Sequence, residues 1–322
     1  NSVQQTEDGG YIIAGSTRSF GSGDSDIWLI KANSQGEEEW NQTFGGSLRD
    51  YGRSIQQTID GGYIIVGETR SFGSDDYDVW LIKTNSQGEE EWNQTYDEDN
   101  SQDNGYSVQQ TIDGGYIIVG GTNSSNFYAT WIIKTDSQGN QEWNSLYEYN
   151  EGRSINQTTD GGYIIIATGG LLKIDSEGNE EWANEAISGY SVQQTTDGGY
   201  IITGENSSDV SLIKTDSQGN EEWNQTFGGS NNEIGYSVEG TTDGGYIIAG
   251  YTYSFGNGDM DVWLIKTDSN GETLWTQTYG GSNLDRGYSV QQTTDGGYII
   301  TGFTFSFPVS AMEARMNVWL IK

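Results

Sequence analysis

Apolar residues along the chain fall into short runs that are close to continuous. Residues 63–66 read Tyr-Ile-Ile-Val and residues 79–82 read Val-Trp-Leu-Ile, with no polar residue inside either run. A run of this length without alternation is typical of a β-strand that is covered on both faces. The pattern therefore predicts short strands in sheets that are packed between other sheets.

These runs belong to a repeat that occurs seven times, opening at Ser2, Ser54, Ser107, Ser154, Ser191, Ser237 and Ser289. Four strand signals, called a to d, follow in each repeat and are first seen at residues 2–6, 11–15, 27–31 and 38–44. A repeat of about 40 to 50 residues with four short strands is typical of one propeller blade. The sequence predicts a single all-β domain over residues 1–322, a seven-bladed β-propeller with four-stranded antiparallel blades.

The seventh repeat differs from the others because no strand d follows Lys322. The last blade is therefore expected to have three strands and an unpaired edge. Such an edge can pair with a strand of another chain. Self-association through this open blade is a second expectation.

The connections between strands predict where function lies. The a–b and c–d connections are short, whereas the b–c and d–a connections are long and vary between repeats. In an up-and-down blade, the two long connections lie at one end and the hairpins at the other. Because binding residues are usually carried on variable loops of a rigid scaffold, the face with the long loops is the predicted functional face.

Composition restricts the partners and the chemistry. A net charge of -33, from 47 acidic and 14 basic residues, disfavours nucleic acid and anionic membrane surfaces. The absence of Cys and His removes thiolate and imidazole chemistry and the usual zinc ligands. No apolar run reaches the roughly 20 residues of a membrane span, so direct membrane insertion is not expected. An extracellular or cell-surface location is favoured by six Asn-x-Ser/Thr sites, at Asn41, Asn93, Asn123, Asn156, Asn206 and Asn224.

Asp residues recur in three of the b–c loops, at Asp24, Asp26, Asp76, Asp78, Asp259 and Asp261. Alternating carboxylates in a glycine-containing loop could hold a hard cation such as calcium. The other interpretation is that each Asp begins a strand or completes a turn. Calcium is the one cofactor that the sequence suggests.

Basic residues follow two different patterns. A Lys ends strand c in every repeat, from Lys31 to Lys322, and is expected to form exposed ion pairs that contribute about 0 to 1 kcal/mol each. The seven Arg residues all fall in long connections, at Arg18, Arg49, Arg53, Arg70, Arg153, Arg286 and Arg315. This placement predicts recognition of carboxylates, sulfates or sugar hydroxyls, although ion pairs with loop acids would also explain it.

The residue before the opening Ser forms a second set, with Arg53, Tyr106, Arg153, Tyr190, Tyr236 and Tyr288. These residues are expected to circle the mouth of a central channel, where Tyr and Arg can stack on and hydrogen-bond a saccharide or peptide. The alternative is that each Tyr packs beneath the next loop. The predicted ligand-binding residues are these six together with Arg18, Arg70 and Arg286, and no catalytic residue is predicted.

Two motifs resemble those of known propellers. Thr-x-Asp-Gly-Gly-Tyr, at residues 58–63, is similar to the Asp-box turn of sialidase-type propellers, and residues 134–143 resemble the tryptophan-docking motif of quinoprotein-type propellers. Over the entire chain, the pattern Thr-x-Asp-Gly-Gly-Tyr-Ile-Ile-x-Gly and Asp-x-Trp-Leu-Ile-Lys resembles secreted or cell-surface repeat propellers of archaea and bacteria. That resemblance implies a fold and a surface location, and it implies no activity.

The function expected from the sequence is a non-enzymatic extracellular recognition module that binds glycan or protein on the face with the long loops. One alternative is a structural subunit of a cell-surface array or filament. A second alternative is a carbohydrate-active hydrolase, which the near identity of the repeats argues against because catalysis needs unique residues.

Overall fold

The computed structural model describes residues 1–124, 127–306 and 317–321, which form 27 β-strands. In the first four repeats the strands are β1 Ser2–Gln5, β2 Tyr11–Thr17, β3 Asp26–Ala32, β4 Glu38–Phe44, β5 Asp50–Gln57, β6 Tyr63–Thr69, β7 Asp78–Thr84, β8 Glu90–Tyr96, β9 Gln102–Gln110, β10 Tyr116–Ser124, β11 Phe127–Thr135, β12 Gln141–Tyr147, β13 Gly152–Gln157, β14 Tyr163–Ala167, β15 Gly170–Ile174 and β16 Glu180–Asn184. In the last three repeats they are β17 Ser191–Gln194, β18 Tyr200–Asn206, β19 Asp209–Thr215, β20 Glu221–Phe227, β21 Glu233–Gly240, β22 Tyr246–Thr252, β23 Asp261–Thr267, β24 Thr273–Tyr279, β25 Asp285–Gln292, β26 Tyr298–Thr304 and β27 Asn317–Ile321.

The strands of each repeat pair antiparallel in chain order. Six sheets have four strands and are numbered here as blades 1 to 6, from β1–β4 to β21–β24. The seventh repeat forms a smaller sheet in which β25, β26 and β27 pair in that order. The prediction of a seven-bladed propeller is therefore wrong: the chain forms six complete blades and an incomplete sheet. The reason is that the described residues after β26 supply one further strand, β27, where the other repeats supply two.

The chain divides into two compact units, Asn1–Ile187 and Ser188–Lys322. Blades 1 to 4 lie in the first unit, and blades 5 and 6 with the smaller sheet lie in the second. That residues 1–322 form a single domain stays a prediction.

Neighbouring blades within each unit pack through their apolar strands. Between blades 1 and 2, Ile12 packs with Ile65 and Trp80, and all three are buried. Trp40 of strand d packs over Tyr63 of the next blade, with ring centroids 6.0 Å apart. Burial contributes about 1.5 to 3 kcal/mol for each large apolar side chain. Inter-blade packing therefore explains why the Trp residues recur with the repeat.

The opening Ser and the following Gln link strand a to the next blade. In blade 1, the Ser2 hydroxyl accepts a hydrogen bond from the Ile55 amide at 3.3 Å, and Gln4 Oε1 accepts one from the Gln57 amide at 2.5 Å. Equivalent Gln bonds come from Gln56, Gln109 and Gln193. The polar composition of strand a is thus a consequence of backbone hydrogen bonds that cross between blades.

The Lys at the end of strand c is buried in six repeats, not exposed as expected from the sequence, and Lys322 of the seventh lies outside the described residues. Lys31 Nζ lies 3.0 Å from Asp8 Oδ2 and 3.1 Å from Glu39 Oε2, and it donates to the Ala32 carbonyl. Two equivalent acids of the same blade pair in this way with each of Lys83, Lys134, Lys173 and Lys214. One cation therefore joins the a–b hairpin to strands c and d inside each of these blades.

The Thr-x-Asp-Gly-Gly motif builds the a–b hairpin. Thr6 Oγ1 donates to Asp8 Oδ1 at 2.5 Å, and the Gly10 amide donates to the same oxygen at 2.9 Å. Gly9 has a φ of 82°, which favours glycine. These bonds, the Thr6 hydroxyl first, lower the pKa of Asp8 to about 2. The motif is thus a turn that also presents a carboxylate to Lys31.

Candidate functional site

Five of the six residues that precede the opening Ser are β-bulge residues. In blade 2, Gly52 pairs with Gly67 and Ser54 pairs with Val66, so Arg53 is the extra residue of the strand. The same register shift leaves out Tyr106, Arg153, Tyr236 and Tyr288. A bulge bends its strand and redirects a side chain. The sixth residue, Tyr190, lies just before β17, and its amide donates to the Thr203 carbonyl at 2.8 Å.

In the first unit, Tyr106 lies between two Arg residues. The Arg53 guanidinium carbon is 5.7 Å from the centroid of the Tyr106 ring, and that of Arg153 is 4.5 Å away. Such cation–π contacts stabilise the arrangement by roughly 0.5 to 2 kcal/mol, depending on burial. Burial raises the pKa of Tyr106 to about 12, so the phenol is neutral over the physiological range.

Both Arg residues of this group are paired with acids of their own unit. Arg53 Nε donates to the two carboxylate oxygens of Glu68 at 3.0 and 3.1 Å, and Arg153 pairs with Glu151. Glu68 is buried, and burial raises its pKa while Arg53 opposes the shift. The positive charges of Arg53 and Arg153 are thus largely balanced inside the protein.

In the second unit, three tyrosines form a row. The ring centroids of Tyr190 and Tyr236 are 5.2 Å apart, and those of Tyr236 and Tyr288 are also 5.2 Å apart. All three side chains are half-buried. The geometry is tilted to edge-on, as aromatic pairs prefer. We call Tyr190, Tyr236 and Tyr288 the tyrosine row.

Arg286 lies beside the tyrosine row. Its guanidinium carbon is 5.1 Å from the Tyr251 ring centroid and 5.6 Å from that of Phe303, and its Nε lies 2.9 Å from Met260 Sδ. Sequence reasoning missed Tyr251, Phe303 and Met260. The two aromatic residues follow Gly250 and Gly302 in strand b. At that position the other repeats have Ser, Glu, Gly or Thr, so an aromatic residue there was the available signal.

The remaining predicted Arg residues are not part of either group. Arg18 and Arg70 are exposed, and the Arg70 guanidinium carbon is 5.8 Å from the Tyr77 ring centroid. Arg49 Nε pairs with Asp24 at 2.9 Å, also at the surface. Arg315 lies outside the described residues.

The two predicted metal ligands of each b–c loop lie in different environments. Asp24, Asp76 and Asp259 are exposed, whereas Asp26, Asp78 and Asp261 are buried at the starts of their c strands. Each buried Asp faces an acid from the start of the next strand a, and these partners are Asp50, Asp103 and Asp285. Burial raises the pKa of Asp26, and the nearby Asp50 adds to that shift.

The partner acids were missed from the sequence, although a regular spacing marks them. Asp50, Asp103, Glu233 and Asp285 each stand four residues before an opening Ser. In blades 2 and 3, carboxylate oxygens of Asp78, Asp97 and Asp103 lie within 4.8 Å of one another.

Comparison with known proteins identifies the fold. The WD40 β-propeller domain of Doa1 matches with a TM-score of 0.64 and 12% identity, over 94% of this chain and 88% of that one. A protein of unknown function from Bacteroides caccae matches with a TM-score of 0.52 and 14% identity, over 84% of this chain and 94% of that one. Sqt1 of Chaetomium thermophilum, bound to the N-terminus of the ribosomal protein L10, matches with a TM-score of 0.55 and 9% identity, over 94% of this chain and 81% of that one.

No family model and no curated protein matches the sequence. Within residues 1–124, 127–306 and 317–321 there is no helix of the length and apolar character that a membrane span requires. The specific repeat family and its secreted location therefore stay a prediction. What the similar structures show is that this chain has a β-propeller fold.

Proposed function

We propose that this chain is a non-enzymatic recognition module that binds a segment of a partner protein on the tyrosine row. The observation that carries the proposal is the row itself: Tyr190, Tyr236 and Tyr288 stand at one repeat position and contact one another. At Tyr236 and Tyr288 a β-bulge turns the side chain out of the strand pairing, and Tyr190 lies just before its strand. Half-buried Tyr residues with a nearby Arg are the composition of protein-binding hot spots.

The choice between the two units follows from their charges. Around Tyr106, the Arg residues are paired with Glu68 and Glu151, so a ligand would compete with internal ion pairs. Around the tyrosine row, Arg286 contacts the aromatic rings of Tyr251 and Phe303 and the sulfur of Met260. A ligand can therefore contact the aromatic side chains of the second unit without breaking a buried salt bridge.

Charge and fold support a protein partner. A net charge of -33 attracts basic segments and speeds their association at low ionic strength. The Sqt1 structure is a complex with the N-terminus of a ribosomal protein, which gives one propeller of similar fold that binds a protein terminus. An extracellular location, proposed from the Asn-x-Ser/Thr sites, would place this partner at the cell surface.

A glycan is the second candidate, and a groove beside Trp80 favours it. The groove has a volume of about 460 Å³, and its lining includes the aromatic Phe72 and Trp80 and the amides Asn93 and Gln94. Phe72 contacts Trp80 in a tilted arrangement with ring centroids 5.2 Å apart, and Phe72 is 44% exposed. An aromatic surface beside amide groups suits a sugar ring, because the ring can stack on the aromatic side chain while its hydroxyls form hydrogen bonds with the amides.

One experiment separates the two candidates. The immobilised protein is screened against a library of short peptides and against a glycan array, with Tyr190→Ala, Phe72→Ala and Ile112→Ser variants in parallel. Ile112 is 85% exposed in an a–b hairpin, so Ile112→Ser controls for loss of exposed apolar area. We expect enrichment of Lys- and Arg-rich peptides that Tyr190→Ala alone abolishes. Glycan binding lost only in Phe72→Ala would support the second candidate, and no enriched ligand over an equally acidic control protein would contradict both.

A further inference from the structure

Two buried carboxylates face each other where blade 1 meets blade 2. Asp26 begins strand β3, Asp50 begins strand β5, and their exposed fractions are 1% and 0%. A β-carbon added to Gly45 would lie 1.9 Å from Asp26 Oδ1 and 2.7 Å from Asp50 Oδ2. These two oxygens therefore border the same small space, which only a glycine at position 45 leaves free.

Asp50 has the hydrogen bonds of an ionised carboxylate. Its Oδ1 accepts from Thr69 Oγ1 at 2.5 Å and from the Ser71 amide at 3.4 Å. Its Oδ2 accepts from Ser71 Oγ at 2.7 Å and from the Gly46 amide at 2.9 Å. Both oxygens of Asp50 therefore accept hydrogen bonds, and Oδ2 also borders the space beside Gly45.

Asp26 Oδ1 has no hydrogen-bond partner among the described residues, although it is buried and borders this space. A buried polar atom without a partner is unfavourable by about 1 to 3 kcal/mol, and more for a charged group. Placing it against a second carboxylate adds repulsion. A positive charge must therefore offset this repulsion, and it is either a bound cation or a proton shared by the two acids.

The arrangement recurs in the second unit. A β-carbon at Gly280 would lie 1.8 Å from Asp261 Oδ1 and 2.8 Å from Asp285 Oδ2. A β-carbon at Gly228 would lie 1.8 Å from Asp209 Oδ1 and 2.8 Å from Glu233 Oε2. The same pair of carboxylates, built from Asp or Glu, therefore occurs beside Gly45, Gly228 and Gly280.

Two repeats distinguish a cation from a shared proton. In blade 2, Asp97 stands at the position of the glycine, so a third carboxylate joins Asp78 and Asp103. One proton cannot neutralise three acids, whereas a divalent cation is held better by added carboxylates. In blade 3 the place of the strand-c acid is taken by Ala129, and the place of the acid four residues before the next opening Ser is taken by Asn150. That neutral junction needs no cation.

We propose that the space between Asp26 and Asp50 binds a divalent hard cation, Ca²⁺, which ties strand c of one blade to strand a of the next. The pair Asp261 and Asp285 forms the equivalent site in the second unit. Carboxylate oxygens are preferred ligands of Ca²⁺. The role is structural and is independent of the partner-binding surface proposed above.

The test measures Ca²⁺ binding to the whole chain by titration calorimetry, in a background of physiological KCl that suppresses nonspecific binding to an acidic protein. Asp26→Asn keeps the shape and removes the charge. Asp24→Asn removes the same charge two residues away, at the exposed Arg49 pair. We expect Asp26→Asn to bind one Ca²⁺ fewer than the wild type, with Asp24→Asn unchanged, and Asp261→Asn to repeat the loss.

Two results would overturn the proposal. One is an equal number of bound ions in all the variants. The other result has two parts. The Asp26→Asn variant has a higher melting temperature than the wild type at neutral pH without Ca²⁺, and Ca²⁺ raises the melting temperature of the wild type no more than KCl does at matched ionic strength. That second outcome would identify a shared proton, because Asn mimics the protonated acid. If Asp26→Asn does not fold, the Asp261→Asn count decides between the same outcomes.

Discussion

Glu239 accepts a hydrogen bond on its Oε2 from the backbone amide of Gln292 in the following sheet. Blades 1, 2, 3 and 5 make the same link with the side chains of Gln4, Gln56, Gln109 and Gln193. Burial raises the pKa of Glu239 to about 7, against an ordinary value of 4.5. One link of the series is therefore an acid that burial keeps protonated in mildly acidic solution.

Glu239→Gln is predicted to stabilise the protein above pH 7. A carboxyl group whose pKa is raised by folding loses stability as the pH rises from about 4.5 through about 7, because the folded state must release a proton that it holds more tightly. Gln keeps the hydrogen bond and has no charge. Thermal melting from pH 4 to 9 should show similar melting temperatures near pH 4, an advantage for the variant that grows up to about pH 7, and a constant advantage above that pH. A constant difference at all pH values would contradict the assignment.

Leu274→Glu is predicted to complete an ion group in blade 6. Lys266 pairs with Asp243 at 3.0 Å, and Leu274 occupies the place of the second acid that the other Lys residues contact. Leu274 is 57% exposed, so the new pair should add no more than about 1 kcal/mol to the free energy of unfolding. Denaturant unfolding of Leu274→Glu and of the uncharged Leu274→Gln compares the two. Equal stability of both variants would show that the second acid has no effect.

Thr6→Val is predicted to raise the pKa of Asp8 from about 2 towards its ordinary value of 3.8, because the Thr6 hydroxyl is the main cause of the shift. A lowered pKa stabilises the fold above about pH 4, and that contribution is lost as the pH falls towards about 2. Carboxyl carbon NMR titration measures the pKa directly. Thr6→Ser, which keeps the hydroxyl, is the control and should titrate as the wild type does.

Added salt is predicted to raise the melting temperature. A net charge of -33 opposes compaction through self-repulsion, and ions screen it. The melting temperature should rise smoothly with NaCl concentration, and divalent cations should raise it at lower concentrations than NaCl does. A melting temperature that is constant or falls with salt would show that self-repulsion does not limit the stability.

Periodic features were predictable from the sequence because each arises within one repeat or between identical neighbours. The strand positions and the packing role of Trp40 belong to this class. The burial of Lys31 was not predictable from its charge. Lys31 is buried because the a–b hairpin lies against it: its Nζ is 3.0 Å from Asp8 Oδ2, and a β-carbon at Gly10 would lie 2.4 Å from the same atom.

Features that join different repeats were predicted only in part. The set from Arg53 to Tyr288 was found by position, but the bulge that redirects these residues depends on the register of strand b. Asp26 was selected as a ligand together with Asp24, whereas the structure places Asp26 against Asp50 from the next repeat. Seven repeats suggested seven blades, but the described residues of the last repeat form a sheet of only three strands.

Binding at the tyrosine row is the central claim, and the dissociation constant of the best enriched peptide tests it most directly. Tyr190→Ala and Tyr288→Ala remove the two ends of the row, Tyr236→Phe removes only the central hydroxyl, and Ile112→Ser is the control. Variants are compared only when their melting shows a folded protein. We predict about 10-fold or greater weakening for each end of the row, as expected for hot-spot residues, and no change for Ile112→Ser. An unchanged dissociation constant in both end variants would contradict the account.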